Sequence, residues 1–284
     1  MFRWARKSLV RSLSFFIFAG SLVLVAVVAV MVYQYSKTIL YDEAVSKLNA
    51  VNALKKDFLV EMLKENKADL EHLAAGQEVL TAFEKLQNYH DQGGGLPHGP
   101  FDVNSLKYLD IYKSMDPFFQ RSLELFDFKE IYFTCREHGH VMYTTQKNSD
   151  LGTNLKEGEY SDTVLAKLWK EVIKSRKSRL FDMSNYPLAD EPVLLLGTPV
   201  WDKEQNMVGV LMASLRLSEI KNIMEQNSGL GKSGETYLVG EDGLMRSESR
   251  LIQESVILKY EIDSKAVDAA LDQGEHGKGS ALIK

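Results

Sequence analysis

The sequence predicts an α+β protein held at a membrane by its N-terminus. Three observations carry that expectation. Residues 12–36 contain no charged side chain. Apolar residues then recur every three or four positions across 38–75, the spacing of one helix face. From Phe128 the period falls to two, the spacing of strands. The 284 residues are 45% hydrophobic and 26% charged, a globular balance that excludes a disordered or collagen-like chain. The net charge of −5 excludes a general nucleic-acid binder, which needs clustered positive charge. A single cysteine, Cys135, excludes an internal disulfide framework and a Cys-rich zinc site.

The first element is the run Leu13–Tyr33, LSFFIFAGSLVLVAVVAVMVY. About 20 apolar helical residues cross a hydrocarbon core, so a transmembrane helix is expected over 13–34. A signal peptide has a shorter apolar region, about 7–15 residues, and a small-residue cleavage site; no A-x-A site follows here. Arg3, Arg6, Lys7 and Arg11 precede the run, and basic flanks stay in the cytoplasm. Residues 1–12 are therefore expected as a cytoplasmic tip and the bulk of the chain outside, with one span in a bacterial inner membrane.

A long stalk helix is expected from 38 to about 75, with Ala44, Leu48, Val51, Leu54/Phe58 and Met62 on one face. That face can pack on its own domain, pair with a second copy, or do both along its length; the heptad is not strict. Val79–Tyr89 reads as a helix, 91–100 as a Gly/Pro loop, and 104–125 as helix broken near Pro117. Phe128–Cys135 and Val141–Thr145 read as a hairpin turned by Glu137-His138-Gly139. Asp162–Ser175 is an amphipathic helix with Val164, Leu165, Leu168, Trp169 and Val172 on one face. Pro192–Trp201 and Met207–Leu217 are strands joined by Asp202–Asn206, and Ser218 is the expected N-cap of a helix to Asn227. Hairpin, helix, strand, strand, helix makes an antiparallel sheet flanked by helices. A second unit starts with strands Glu235–Gly240 and Leu244–Ser247 and a helix Asp263–Leu271. It has about half the length of the first and is expected to be incomplete. The expected divisions are thus 38–227, stalk and first unit, and 228–284, linker and start of the second.

Several motifs fail on context. Gly229-Leu-Gly231-Lys-Ser-Gly234 fits G-x-G-x-x-G but follows a helix and precedes a strand, the reverse of a dinucleotide site. A P-loop requires Gly where Gln226 stands. His138 and His140 in a hairpin turn are expected in solvent rather than on a metal, and no H-E-x-x-H or G-x-S-x-G is present. No catalytic group, cofactor or metal is implied. Tyr132, Tyr143, Trp169, Tyr186 and Trp201 lie in or beside the first sheet. They suit core packing, or the aromatic walls of a pocket whose polar groups would be Arg136, Asp182 and Thr198. In that second reading Arg136 would clamp a carboxylate and Asp182 an amine; both also suit plain surface charges.

The basic tip, single span, long outer helix and two α/β units resemble the double Cache (PDC, PAS-like) sensor domain of bacterial chemoreceptors, sensor kinases and membrane-bound cyclases. The resemblance covers about 38–284. It is carried by GLGKSGETYLVGEDGLMRSESRL at 229–251 and LFDMSNYPLADEPVLLLGTPVWDKEQNMVGVLMASL at 180–215. It implies a pocket in the first unit for an amino acid, small carboxylate or amine, at Tyr143, Asp182 and Tyr186. The Arg–Trp pair of the amino-acid-binding subset has no counterpart here. A homodimer through membrane and stalk helices is expected from the long outer helix. The expected function is extracytoplasmic small-ligand sensing in a membrane-anchored signal-transduction receptor, with the output module outside this chain. The alternatives are an assembly protein that works through its long helix, and an external hydrolase.

Overall fold

The computed structural model describes residues 2–231, 234–264 and 267. Two compact units are distinguished, one running from the N-terminus to Ala53 and the other starting at Leu54. The first unit is helical, part of α1 (Phe2–Ala74). Its apolar side chains between Leu13 and Tyr41 face outward, Leu24 at 68% exposure. Among the described residues, α1 is the one helix long and apolar enough to cross a membrane.

The second unit is built on a five-stranded sheet. After α1 come α2 (Gln77–Tyr89), a π-helical turn (His90–Gly94) and α3 (Leu106–Leu125). Then follow β1 (Phe128–Cys135), β2 (Val141–Thr144), α4 (Val164–Ser175), β3 (Arg179–Ser184), β4 (Val193–Trp201), β5 (Met207–Leu215) and α5 (Ser218–Glu225). The strand order is β2-β1-β5-β4-β3, and every neighbouring pair is antiparallel. The α+β expectation holds.

Both faces of the sheet are covered. On one, Ile131, Phe133, Leu196, Leu211 and Ala213 pack with Leu59, Leu70, Phe83, Leu86, Tyr112 and Phe119 from α1, α2 and α3. On the other, Tyr132, Leu195, Val210 and Met212 pack with Leu165, Leu168, Trp169 and Val172 of α4. The ring of Phe83 stacks on Phe133 at 4.7 Å and lies over Gly209. A Cβ at 209 would stand 2.3 Å from Phe83 Cε1 and 2.4 Å from the Thr134 carbonyl oxygen, so only glycine fits.

The helix ends follow local chemistry. Thr163 accepts from the Ala166 amide at 3.4 Å and caps α4; Ser105 caps α3, accepting from Tyr108 N at 3.1 Å. The β4–β5 turn closes on Asp202, whose Oδ1 accepts from the Glu204 and Asn206 amides, each at 2.8 Å.

Several expectations need correction. Pro117 does not break α3: Tyr108 and Tyr112 before it and Phe119 after it are buried against the sheet, which outweighs one lost hydrogen bond. Ser218 is the first helical residue of α5, and its side chain does not cap. Strand β3 was not expected; it is an edge strand with a half-exposed pattern and polar Arg179 and Asp182. The packed face of α1 is also rotated. Leu59, Met62, Leu70 and Leu73 are buried, whereas Leu54 and Phe58 are 57% and 53% exposed. Lys55 occupies the buried face, its Nζ donating to the Met224 carbonyl at 2.7 Å and to Thr236 Oγ1 at 2.8 Å. A lysine whose stem packs while its amine finds oxygen acceptors reads as polar in any apolar count.

Beyond α5 the expected strands 235–240 and 244–247 reduce to single bridges, Val239 to Met245 and Leu244 to Glu261. The turn between them is present, with Gly243 at φ +77°. The expected helix from Asp263 lies mostly outside the described residues.

Candidate ligand-binding site

The side chains expected to form one pocket are not brought together. Trp169 and Tyr186 share the α4 layer. Tyr143 lies in the opposite layer, donating to Asp116 Oδ1 at 2.8 Å. Thr198 on β4 is buried and bonds the Ser178 hydroxyl at 2.9 Å. Arg136 is exposed in the β1–β2 turn. Asp182 is taken up by Arg246, whose Nε and Nη2 reach Asp182 Oδ2 at 3.0 and 2.8 Å. That guanidinium reaches both Asp182 oxygens and would compete with any amine there. Arg246 Nη2 also pairs with Asp242 at 2.9 Å, fastening the 240–246 turn to the edge strand.

A different set converges on the α4 side of the sheet. Glu130 and Tyr132 sit two apart on β1 and so point to the same face. Tyr132 donates to Glu130 Oε2 at 2.6 Å, and Thr144, opposite Tyr132 on β2, donates to Glu130 Oε1. In the loop after β2, Asp150 Oδ2 accepts from Tyr186 at 2.6 Å. Ser149 and Tyr160 share a hydrogen bond of 2.8 Å, and the Tyr160 and Tyr186 rings stand 6.5 Å apart.

This set holds two buried carboxylates, Glu130 at 5% and Asp150 at 0% exposure. Among the described residues neither is in an ion pair. Burial pushes Glu130 up to about 6, against hydrogen bonds from Thr144 and Tyr132 that pull it down and with the Asp150 charge adding to the rise. Burial also raises Asp150, opposed first by the bond from Tyr186 and then by its own and the Leu151 backbone amides. Asp150 Oδ1 is buried without a hydrogen-bond partner among the described residues, a costly arrangement for an acceptor that usually carries charge. Nearby, the start of α4 and the end of β3 frame an open groove of about 420 Å³ lined by Asp162, Thr163, Lys167, Phe181, Asn185 and Pro187. Two of its residues flank Tyr186 in sequence, and Asp162 follows Tyr160 by two.

Sequence reasoning named Tyr186 and Trp169 but not Glu130, Tyr160 or Asp150. Glu130 left a signal: an acid inside the run FKEIYFTC, where strands are depleted of acids. Asp150, in a loop of polar residues, left none. The hairpin histidines are not in solvent. His140 is buried at 0% exposure and His138 is half-buried, because Gly139 at φ +70° turns the chain back against the Trp169 ring.

No family model matches the sequence, and no curated protein matches it. Solved structures do. The sensory domain of the Campylobacter jejuni chemoreceptor Tlp3 matches with a TM-score of 0.52 at 13% identity, over 85% of this chain and 84% of that one. The ligand-binding domain of the same receptor in complex with 4-methylisoleucine matches at 0.53 and 13%, over 84% and 81%. The fold is that of a chemoreceptor sensor domain. The complex of that domain with L-valine gives 0.50 at 14% identity, over 84% and 83%. The α+β fold expected of the first unit is met in the order β2-β1-β5-β4-β3 and in helices on both faces.

Proposed function

We propose that the chain is the extracytoplasmic sensing module of a membrane-anchored receptor, and that its ligand is a small molecule with a protonated amine bound on the α4 side of the sheet. The observation that carries this reading is the buried Oδ1 of Asp150, without a hydrogen-bond partner among the described residues, beside a second buried carboxylate. A primary ammonium offers three donors. One would satisfy Asp150 Oδ1, its charge would offset both acids, and the rings of Tyr132, Tyr160 and Tyr186 would supply apolar walls with cation–π attraction. The sensor fold supports the reading, as does the fact that the Tlp3 domain of the same fold is seen with L-valine and 4-methylisoleucine.

In this reading the basic N-terminus is cytoplasmic, residues 13–34 span the membrane, and the chain divides near residue 227 into a ligand-binding unit and the start of a second. Leu54 and Phe58, exposed at i, i+4 spacing on α1, would meet the same pair in a second copy. Binding would act by favouring one packing of α1 on the sheet over another.

The test is a thermal-shift and calorimetric screen of the full chain in lipid nanodiscs. The panel holds L-amino acids, γ-aminobutyrate, mono- and diamines, and dicarboxylates. An amine at 100 times its Kd should stabilise the protein by about 2.7 kcal/mol, and Asp150→Asn, folded by circular dichroism, should lose the response. Binding of dicarboxylates alone, or amine binding indifferent to Asp150→Asn, would sink the proposal.

A further inference from the structure

The β1–β2 hairpin and the π-helical turn after α2 gather a second cluster, on groups the amine site does not use. His90, Cys135, His138 and His140 each offer one ligand atom, and these atoms all lie within 4.8 Å of one another. His90 Nε2 stands 3.2 Å from His140 Nδ1, and Cys135 Sγ stands 3.6 Å from the same nitrogen. A tetrahedral zinc ion with ordinary bond lengths sets its ligands about 3.3 Å apart for two nitrogens and about 3.6 Å for nitrogen and sulfur. Two edges of such a tetrahedron are therefore already formed.

The outer contacts aim the lone pairs inward. The Gly99 carbonyl lies 2.9 Å from His140 Nε2. A carbonyl only accepts, so Nε2 carries the proton and Nδ1 presents its lone pair. Asp91 Oδ1 lies 3.1 Å from His90 Nδ1, which by the same logic leaves Nε2 bare. Two bare nitrogens then face each other with a sulfur beside them, an arrangement a cation between them resolves. Holding the far nitrogen of each ligating imidazole on a carbonyl or carboxylate is the usual outer support of a metal site. The fourth group has the unsatisfied atom: His138 Nδ1 is buried and without a hydrogen-bond partner among the described residues. The His140 amide donates to Cys135 Sγ at 3.2 Å, supporting negative charge on sulfur.

We infer that His90, Cys135, His138 and His140 form a closed four-coordinate site for a borderline-soft transition-metal ion of the zinc class. One thiolate and three imidazoles disfavour magnesium and calcium, which take oxygen. Four protein ligands mark a structural rather than a catalytic site. Cys135 would bind as thiolate, its proton passing to solvent. The ion would tie the end of α2 to the end of β1, which sequence separates by 45 positions, from His90 to Cys135.

The experiment uses the full chain in detergent, stripped with a chelator and titrated with Co²⁺ and then Zn²⁺. Cobalt should give intense tetrahedral d–d bands and a thiolate charge-transfer band, saturating at one ion per chain and displaced by zinc. Cys135→Ser should lose the charge-transfer band. His138→Ala, at a half-buried turn position and folded by circular dichroism, should lose the tetrahedral bands and the thermal shift that zinc gives the parent. Asp91→Ala should weaken binding about 10–100-fold. His98→Ala, outside the cluster, should bind as the parent does. A folded parent without these bands, or binding retained by His138→Ala and lost by His98→Ala, would overturn the assignment.

Discussion

Replacing Glu130 by glutamine tests the acidic site through its cost to folding. Burial pushes the Glu130 carboxyl up from its ordinary 4.5 to about 6. A raised carboxyl pKa means that the folded state prefers the proton. Its contribution to stability is therefore full below the unfolded pKa, near 4.5, and is lost as pH rises through about 6. A shift of about 1.5 units is worth about 2 kcal/mol at 1.36 kcal/mol per unit. The glutamine side chain would keep an oxygen for Thr144 and offer its amide to the Tyr132 hydroxyl, which can accept, so the shape is conserved while the ionisation is removed. Glu130→Gln should gain on the parent by about 2 kcal/mol between about pH 4 and about pH 7. In a domain of this size that is about 4–8 °C in Tm. The assay is thermal or urea unfolding of both proteins across that range, read as the difference between them so that all other titrations cancel. A difference that stays flat, or one that favours the parent as pH rises, would refute the account of Glu130 as a buried acid waiting for a cation.

Two other substitutions bear on the frame around the site. Gly209→Ala drives a methyl into Phe83 and the Thr134 carbonyl and should cost about 1–3 kcal/mol by urea unfolding; a cost under a few tenths would mean that β5 moves freely. Arg246→Ala leaves Asp182 and Asp242, with 58% and 48% of their side chains open, without their partner, and because the Arg246 side chain is itself only 8% exposed lost packing adds to lost charge, so the loss should be about 1–3 kcal/mol. Asp242 is held below its usual range by Arg246, a stabilisation present above the unfolded carboxylate pKa and lost in acid. The gap between parent and variant should close as pH falls through that range, with the Asp242 titration by NMR moving upward in the variant.

The parts legible in the sequence were those with one dominant period. Helix α4 shows its apolar face at three-and-four spacing, and β4 and β5 are near-continuous apolar runs because the sheet is covered on both sides. The edge strand β3 was hidden because an edge pairs on one side only and tolerates Arg179 and Asp182. The register of the α1 face was hidden by Lys55, and the passage of α3 through Pro117 by the aromatic contacts on either side. The sheet and the helices on its two faces were legible in outline, the candidate site only in part. Tyr186 was placed in a pocket by resemblance, but its partner Asp150 is a loop residue brought in by the chain's path. Asp182 looked like an amine ligand until the course of residues 238–246 set Arg246 against it.

Strand β1 faces two ways. Its even positions give Glu130 and Tyr132 to the acidic site, while its last odd position gives Cys135 to the histidine cluster. A slip of one residue against β5 would turn both sets to the wrong sides at once, so a single register specifies both. Should both proposed sites bind, linkage makes them reciprocal: by whatever factor an ion at Cys135 alters the affinity of the acidic site for an amine, the amine alters the affinity for the ion by the same factor.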